Sequence, residues 1–127
     1  MLAEKSIENF KIAEYAVERK FYDVAISRFY YSLYQRLLML IIEDPQKMIT
    51  RNHRQDLENG IEIFIRKYSL DRKEIYILRK IRLLLIERHR ADYENRRLQN
   101  VYEFNNNFMN SFKRVYELFN KKGVING

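Results

Sequence analysis

The sequence contains no cysteine, one proline and three glycines. Without cysteine there is no disulfide framework, no thiolate nucleophile and no cysteine-ligated zinc. So few chain-reversing residues argue against an all-β sandwich or barrel, whose many turns use both glycine and proline. Gly60, Gly123 and Gly127 stand alone, so no glycine loop is present to cradle a phosphate. The metal-binding patterns HExxH and ExxH are also missing, and His53 and His89 are the only histidines. Neither a metal site nor a cofactor is expected. The longest apolar run, Leu37 to Ile42, falls far short of the roughly 20 residues of a membrane span. The first residues carry charges throughout and form no secretory segment. A cytoplasmic protein without membrane contact is the expectation.

What is there is a chain of 127 residues, 46% of them hydrophobic. That suits one folded domain over residues 1–127 and excludes intrinsic disorder. The hydrophobic spacing is helical almost throughout. A first amphipathic helix spans residues 3–20, with Ile7, Phe10, Ala13 and Val17 on its apolar face. A second runs from an N-cap at Asp23 to about residue 43. Its main stripe is Ile26, Tyr30, Leu33, Leu37 and Leu40, and Tyr31, Tyr34, Leu38 and Ile41 make a second strip beside it. A helix apolar on most of its circumference is buried on two sides, one of which could face a partner.

Asp44-Pro45 ends that helix, because the residue before proline disfavours helical dihedrals. A loop then leads to a third helix over residues 53–67. Asp71 with Glu74 forms a capping box that opens a fourth helix, running to about Tyr93. Residues 95–99 are polar and basic. Asn100 with Glu103 is a second capping box, opening a fifth helix with Val101, Phe104, Phe108, Phe112, Val115 and Phe119 inward. The expected architecture is all-α: an antiparallel up-and-down bundle of four long helices and one shorter helix.

The net charge of +7 is unevenly distributed. Residues 1–44 hold six basic and seven acidic side chains, whereas residues 72–97 hold nine basic and four acidic, a net +5. A basic face can be plain solvated surface. Here, however, the arginines flank the consecutive apolar residues Leu83 to Ile86, which places them at an interface or a cleft rim. There a guanidinium can bind phosphate bidentately, so RNA or a nucleotide is the first partner to consider. Within Arg82 to Tyr93, Arg82, His89 and Tyr93 share one helical face. A neutral histidine among arginines can move a proton at a ribose hydroxyl while arginine stabilises charge on the phosphate. The same types also occur at ordinary helix ends.

The segment Ala25-Ile26-Ser27-Arg28-Phe29-Tyr30-Tyr31-Ser32-Leu33-Tyr34 resembles the "AISRAYYAxxxA" helix of the HEPN superfamily. Phe21-Tyr22-Asp23 fits the turn before it, and Asn52-His53 fits a histidine at the start of the third helix. Arg88-His89-Arg90-Ala91-Asp92-Tyr93 is similar to the "RxxADY" signature of small stand-alone members. In order, the four motifs cover roughly residues 3–120. The resemblance implies a helical bundle that forms a homodimer, with the fourth helices meeting across the dimer. It implies metal-independent endoribonuclease activity for many relatives, through an R-x4–6-H motif in a cleft between subunits. For others it implies only RNA or nucleotide binding. It also implies a toxin–antitoxin-like pairing with a minimal nucleotidyltransferase.

Two registers carry the motif onto this chain. With Arg88 as the arginine, Tyr93 stands at the histidine position; with Arg82, His89 completes R-x6-H. Arg82, Arg88, His89 and Tyr93 are therefore the catalytic candidates. Arg28, Arg90, Arg96, Arg97 and His53 are candidates for phosphate or nucleic-acid contact. For Arg28 an ion pair with Asp92 is the alternative, and for His53 a helix cap. A non-enzymatic module that docks a nucleotidyltransferase, and a purely structural dimer, are the rival function classes.

Overall fold

The computed structural model describes residues 1–93 and 100–124. Every regular element in these residues is helical. Helices α1 (Leu2–Glu18) and α2 (Tyr22–Glu43) are joined by a tight turn, and a loop leads to α3 (His53–Lys67). They are followed by α4 (Arg72–Arg79), α5 (Ile81–Tyr93) and the single turn α6 (Val101–Phe104). A π-helical stretch, Asn105–Met109, runs into α7 (Asn110–Lys121). None of these helices is long and apolar enough to cross a membrane.

Helix α2 is the hub, packed against α1, α3, α5 and α7. Ile26, Tyr30, Leu33, Leu37 and Leu40 are buried, as are Tyr34 and Ile41 of the second strip; Tyr31 and Leu38 are half-buried. The chain itself therefore covers both apolar strips. The α2–α3 contact is close. A β-carbon on Gly60 would lie 2.7 Å from the Leu37 Cβ, so glycine is required there by space.

Four sequence expectations are corrected. The apolar face of α1 is rotated: Ser6, Asn9, Ala13 and Ala16 are buried, Phe10 and Val17 are half-buried, and Ile7 is exposed. Small residues let α1 approach α2 closely, and α2 satisfies the polar ones. Ser6 Oγ donates to the Ser32 carbonyl at 2.6 Å, and Asn9 Nδ2 donates to Gln35 Oε1 at 2.9 Å. Asp23 does not cap α2; the N-cap is Phe21, two residues earlier, and the helix begins at Tyr22. The expected fourth helix is interrupted at Lys80, so the Asp71–Glu74 capping box opens α4 alone. Val101 is exposed rather than inward.

The π-helical stretch explains how Phe104, Phe108 and Phe112 stay on one buried face. Residues four apart drift around an α-helix, and the wider π turn removes that drift. Their rings continue a run that includes Phe29 and Tyr22. With so few glycines, Lys20, Arg51 and Ser69 adopt positive φ where the chain reverses or enters a helix.

Candidate nucleic-acid cleft

Three elements build the site. Helix α2 supplies Tyr30, Tyr31 and Tyr34 from consecutive positions of one face, the start of α3 supplies His53 and Arg54, and α5 supplies Arg88, His89 and Arg90. Asn52, not His53, caps α3, its side chain accepting from the Gln55 N–H at 2.9 Å. His53 is thereby left free to turn its ring onto α2. Its imidazole stacks on Tyr34 with centroids 4.0 Å apart, and its Nε2 lies 2.7 Å from the Tyr30 hydroxyl.

Arg88 joins this cluster from α5. Its guanidinium lies 5.0 Å from the centre of the Tyr31 ring, and Nη2 donates to the Tyr31 hydroxyl at 2.5 Å. Asp92, one turn further along α5, places a carboxylate oxygen 3.0 Å from Arg88 Nε. The buried Nε makes no aligned hydrogen bond, so this contact is an ion pair. Arg88 is thus held by a π face, a hydroxyl and a carboxylate while part of it still reaches solvent.

These groups border a cleft of about 390 Å³, walled by His53, Arg54, Arg88, His89 and Arg90 over Leu85 and Ile86. Among the described residues, no carboxylate lines it. It opens at the N-terminal end of α3, where the helix dipole adds to the positive potential. Burial, and then the neighbouring Arg88 charge, hold His53 below its ordinary pKa against an opposing pull from Asp56. His53 is therefore neutral at pH 7. Burial pushes the Tyr30 hydroxyl far up, and pushes Tyr34 up to about 12. A second cleft, between α4 and α7, is lined by charges of both signs, and its Glu74 is already engaged by Lys122 at 2.9 Å.

The candidate residues divide accordingly. Arg88, His89, Arg90 and His53 share the cleft. Tyr93 is exposed beside it, its ring 4.7 Å from that of His89. Arg82 turns away and forms a paired contact with the Glu58 carboxylate of α3, so the structure does not bring Arg82 and His89 to one site. Arg28 meets neither the cleft nor Asp92. It donates to Asn9 Oδ1 at 3.0 Å on the α1 side, and Asp92 pairs with Arg88 instead. Arg96 and Arg97 lie outside the described residues.

Sequence reasoning missed Arg54, whose only signal was its place beside His53 at a helix start. It also read Tyr30, Tyr31 and Tyr34 as core and dimer packing in preference to base stacking, although their hydroxyls and rings organise His53 and Arg88. Among the described residues no group of three or more His, Cys, Asp or Glu side chains could hold a metal ion. The cleft's chemistry is that of cationic donors around a neutral imidazole, suited to an anionic, phosphate-bearing ligand. Comparison with protein-family models, curated proteins and solved structures finds no match for the chain.

Proposed function

We propose that this chain is a HEPN-type module of a toxin–antitoxin-like pair with a minimal nucleotidyltransferase, and that it acts on RNA in the cytoplasm as a metal-independent endoribonuclease. In this reading the helices form an antiparallel up-and-down bundle, with α4 and α5 together making its fourth long member. Two copies pair through α5. The observation that carries the reading is the cationic cleft, because the residues of the "RxxADY" resemblance, Arg88 to Arg90, line it together with His53. Arg88, Arg54 and Arg90 hold phosphate. His89 accepts the 2′-hydroxyl proton as that oxygen attacks phosphorus, the P–O5′ bond breaks to leave a 2′,3′-cyclic phosphate, the departing 5′-oxygen takes a proton from solvent, and Tyr93 contacts the ribose. Support for pairing comes from Leu83, Ile86 and Tyr93 on α5, which are 52%, 48% and 70% exposed.

A second reading, an inactive RNA- or nucleotide-binding module that partners the nucleotidyltransferase, is favoured by two observations. Arg88 is already engaged by Asp92 and Tyr31, and Tyr93 stands where that register needs a histidine. The experiment is incubation of the pure protein with transfer RNA and total RNA in EDTA, beside Arg88→Ala and His89→Ala. Cleavage by the parent and loss in both variants is expected. Cleavage that survives in both overturns this site. Binding without cleavage by the parent establishes the second reading.

A further inference from the structure

His53 sits in the cleft with its two ring nitrogens in different circumstances. Tyr30 is fully buried, and its hydroxyl lies 2.7 Å from His53 Nε2. A buried hydroxyl donates its proton to some acceptor, and Nε2 is the acceptor within reach. If Nε2 accepts, a neutral imidazole carries its proton on Nδ1. The ring is neutral because burial and the Arg88 charge both disfavour the imidazolium. Nδ1 has no protein partner among the described residues and is not sealed from solvent. Tyr34, stacked at 4.0 Å, fixes the plane of the ring. The imidazole lines the cleft beside Arg88.

We propose that His53 is a ligand-binding residue of this cleft, presenting Nδ1–H to an oxygen of bound RNA, with Tyr30 as the positioning residue that fixes its tautomer. The proposal rests on the RNA reading of the cleft. It divides the labour of the two histidines: His89, exposed at the rim, is the proton acceptor of that reading, whereas His53 is a fixed donor that helps orient a phosphate or ribose oxygen against Arg88. A donor held by a buried hydroxyl and a stacked ring loses little conformational freedom on binding.

Two measurements test this on the full chain. Nitrogen-15 NMR of the imidazoles reads the tautomer directly: Nε2 is expected to be the unprotonated, acceptor-type nitrogen of His53. A proton on Nε2 overturns the proposal. Fluorescence anisotropy with labelled oligouridylate reads the contact. His53→Phe keeps the aromatic stack and is expected to weaken binding about tenfold. His53→Asn keeps a donor near the Nδ1 position and is expected to stay within about threefold of the parent. Equal losses in both overturn the donor role.

Tyr30→Phe is expected to spread the proton over both nitrogens and to weaken binding severalfold. It carries the test should His53→Phe not fold, and an unchanged His53 spectrum in it overturns the part given to Tyr30. If the parent does not bind oligouridylate, the RNA reading falls and the proposal with it. If the parent binds and His53→Phe binds as well, only the proposal falls.

Discussion

Tyr31 and Arg88 are 57 residues apart in sequence and in direct contact in the fold, the guanidinium both facing the tyrosine ring and donating to its hydroxyl. The contact joins α2 to α5 and sets where Arg88, the arginine that opens the "RxxADY" resemblance, can stand in the cleft. Lysine could not reproduce it, because the arrangement uses a planar donor fork over a ring.

Tyr31→Phe removes the hydroxyl and keeps the ring. The lost bond involves a charged donor, but Arg88 is partly solvated, so the expected cost is about 1 kcal/mol. Urea unfolding checks it. A midpoint unchanged from the parent would show that the hydroxyl contributes nothing to stability.

His53 gives stability a pH dependence of known sign. Its pKa in the folded state lies below the ordinary 6.5, so on acidification the unfolded chain takes up a proton that the folded chain refuses. Stability from this residue is full above 6.5 and is lost as pH falls through the folded value. The groups facing it are Tyr30, Tyr31 and Tyr34 from α2, Asp56 from α3 and Arg88 from α5. Denaturation midpoints from neutral to mildly acidic pH should fall, and His53→Phe should flatten that part of the curve. Tyr34 acts at the other end. Its folded value is raised from 10.0 to about 12, so its stabilisation holds below 10.0 and is lost as pH rises through about 12.

Gly60→Ala tests the α2–α3 approach. Alanine is the better helix former by about 1 kcal/mol, but its methyl would sit 2.7 Å from Leu37 Cβ. Both helices are anchored in the core, so overpacking wins. A net loss of about 1–2 kcal/mol is expected in thermal unfolding. A stabilised variant would mean that the helices can separate at no cost.

Arg36 is 7% exposed, and its polar partners are Ser6 Oγ at 3.1 Å and Met39 Sδ at 3.9 Å, with no carboxylate in ion-pair reach among the described residues. Burial lowers its pKa, the mark of a desolvated cation. Arg36→Met keeps the length of the side chain and removes the charge, and it is expected to stabilise the fold by about 1 kcal/mol. Chemical denaturation that shows a loss instead would assign the guanidinium a net favourable role between α1 and α2.

Ile86→Glu addresses the proposed pairing through α5. The residue is about half exposed, so little fold stability should be lost. Sedimentation equilibrium should show a dimer for the parent and a monomer for the variant. A parent that is monomeric would remove α5 as a self-association surface.

Helix positions were largely legible in the sequence because spacing reports which side is apolar. The stripe on α2 and the inward phenylalanines of the last helix illustrate this. The face of α1 was not legible. Ser6 and Asn9 read as polar, and their hydrogen bonds to Ser32 and Arg36, and to Gln35 and Arg28, make their burial tolerable. The break at Lys80 was hidden for a different reason. No glycine or proline marks it, and Lys80 itself keeps right-handed helical dihedrals.

The site was legible as a cluster of charges but not as a geometry. Arg82, Arg88 and His89 lie within two turns and carry the same chemical promise. Glu58, 24 residues before Arg82, draws that arginine out of the site, whereas Tyr31 draws Arg88 into it.

Composition and periodicity alone determined that the chain is helical, with its positive charge concentrated between α4 and the approach to α6. These are properties of local spacing and of counts, and neither needs a partner segment. Which cations face a common cleft, and which histidine is held neutral, were decided only in the tertiary structure. A side chain's direction, burial and protonation depend on groups brought to it from distant parts of the chain. No one-dimensional pattern records that Tyr30 and Tyr34 close around His53, or that Arg28 turns to Asn9 and leaves Asp92 to Arg88.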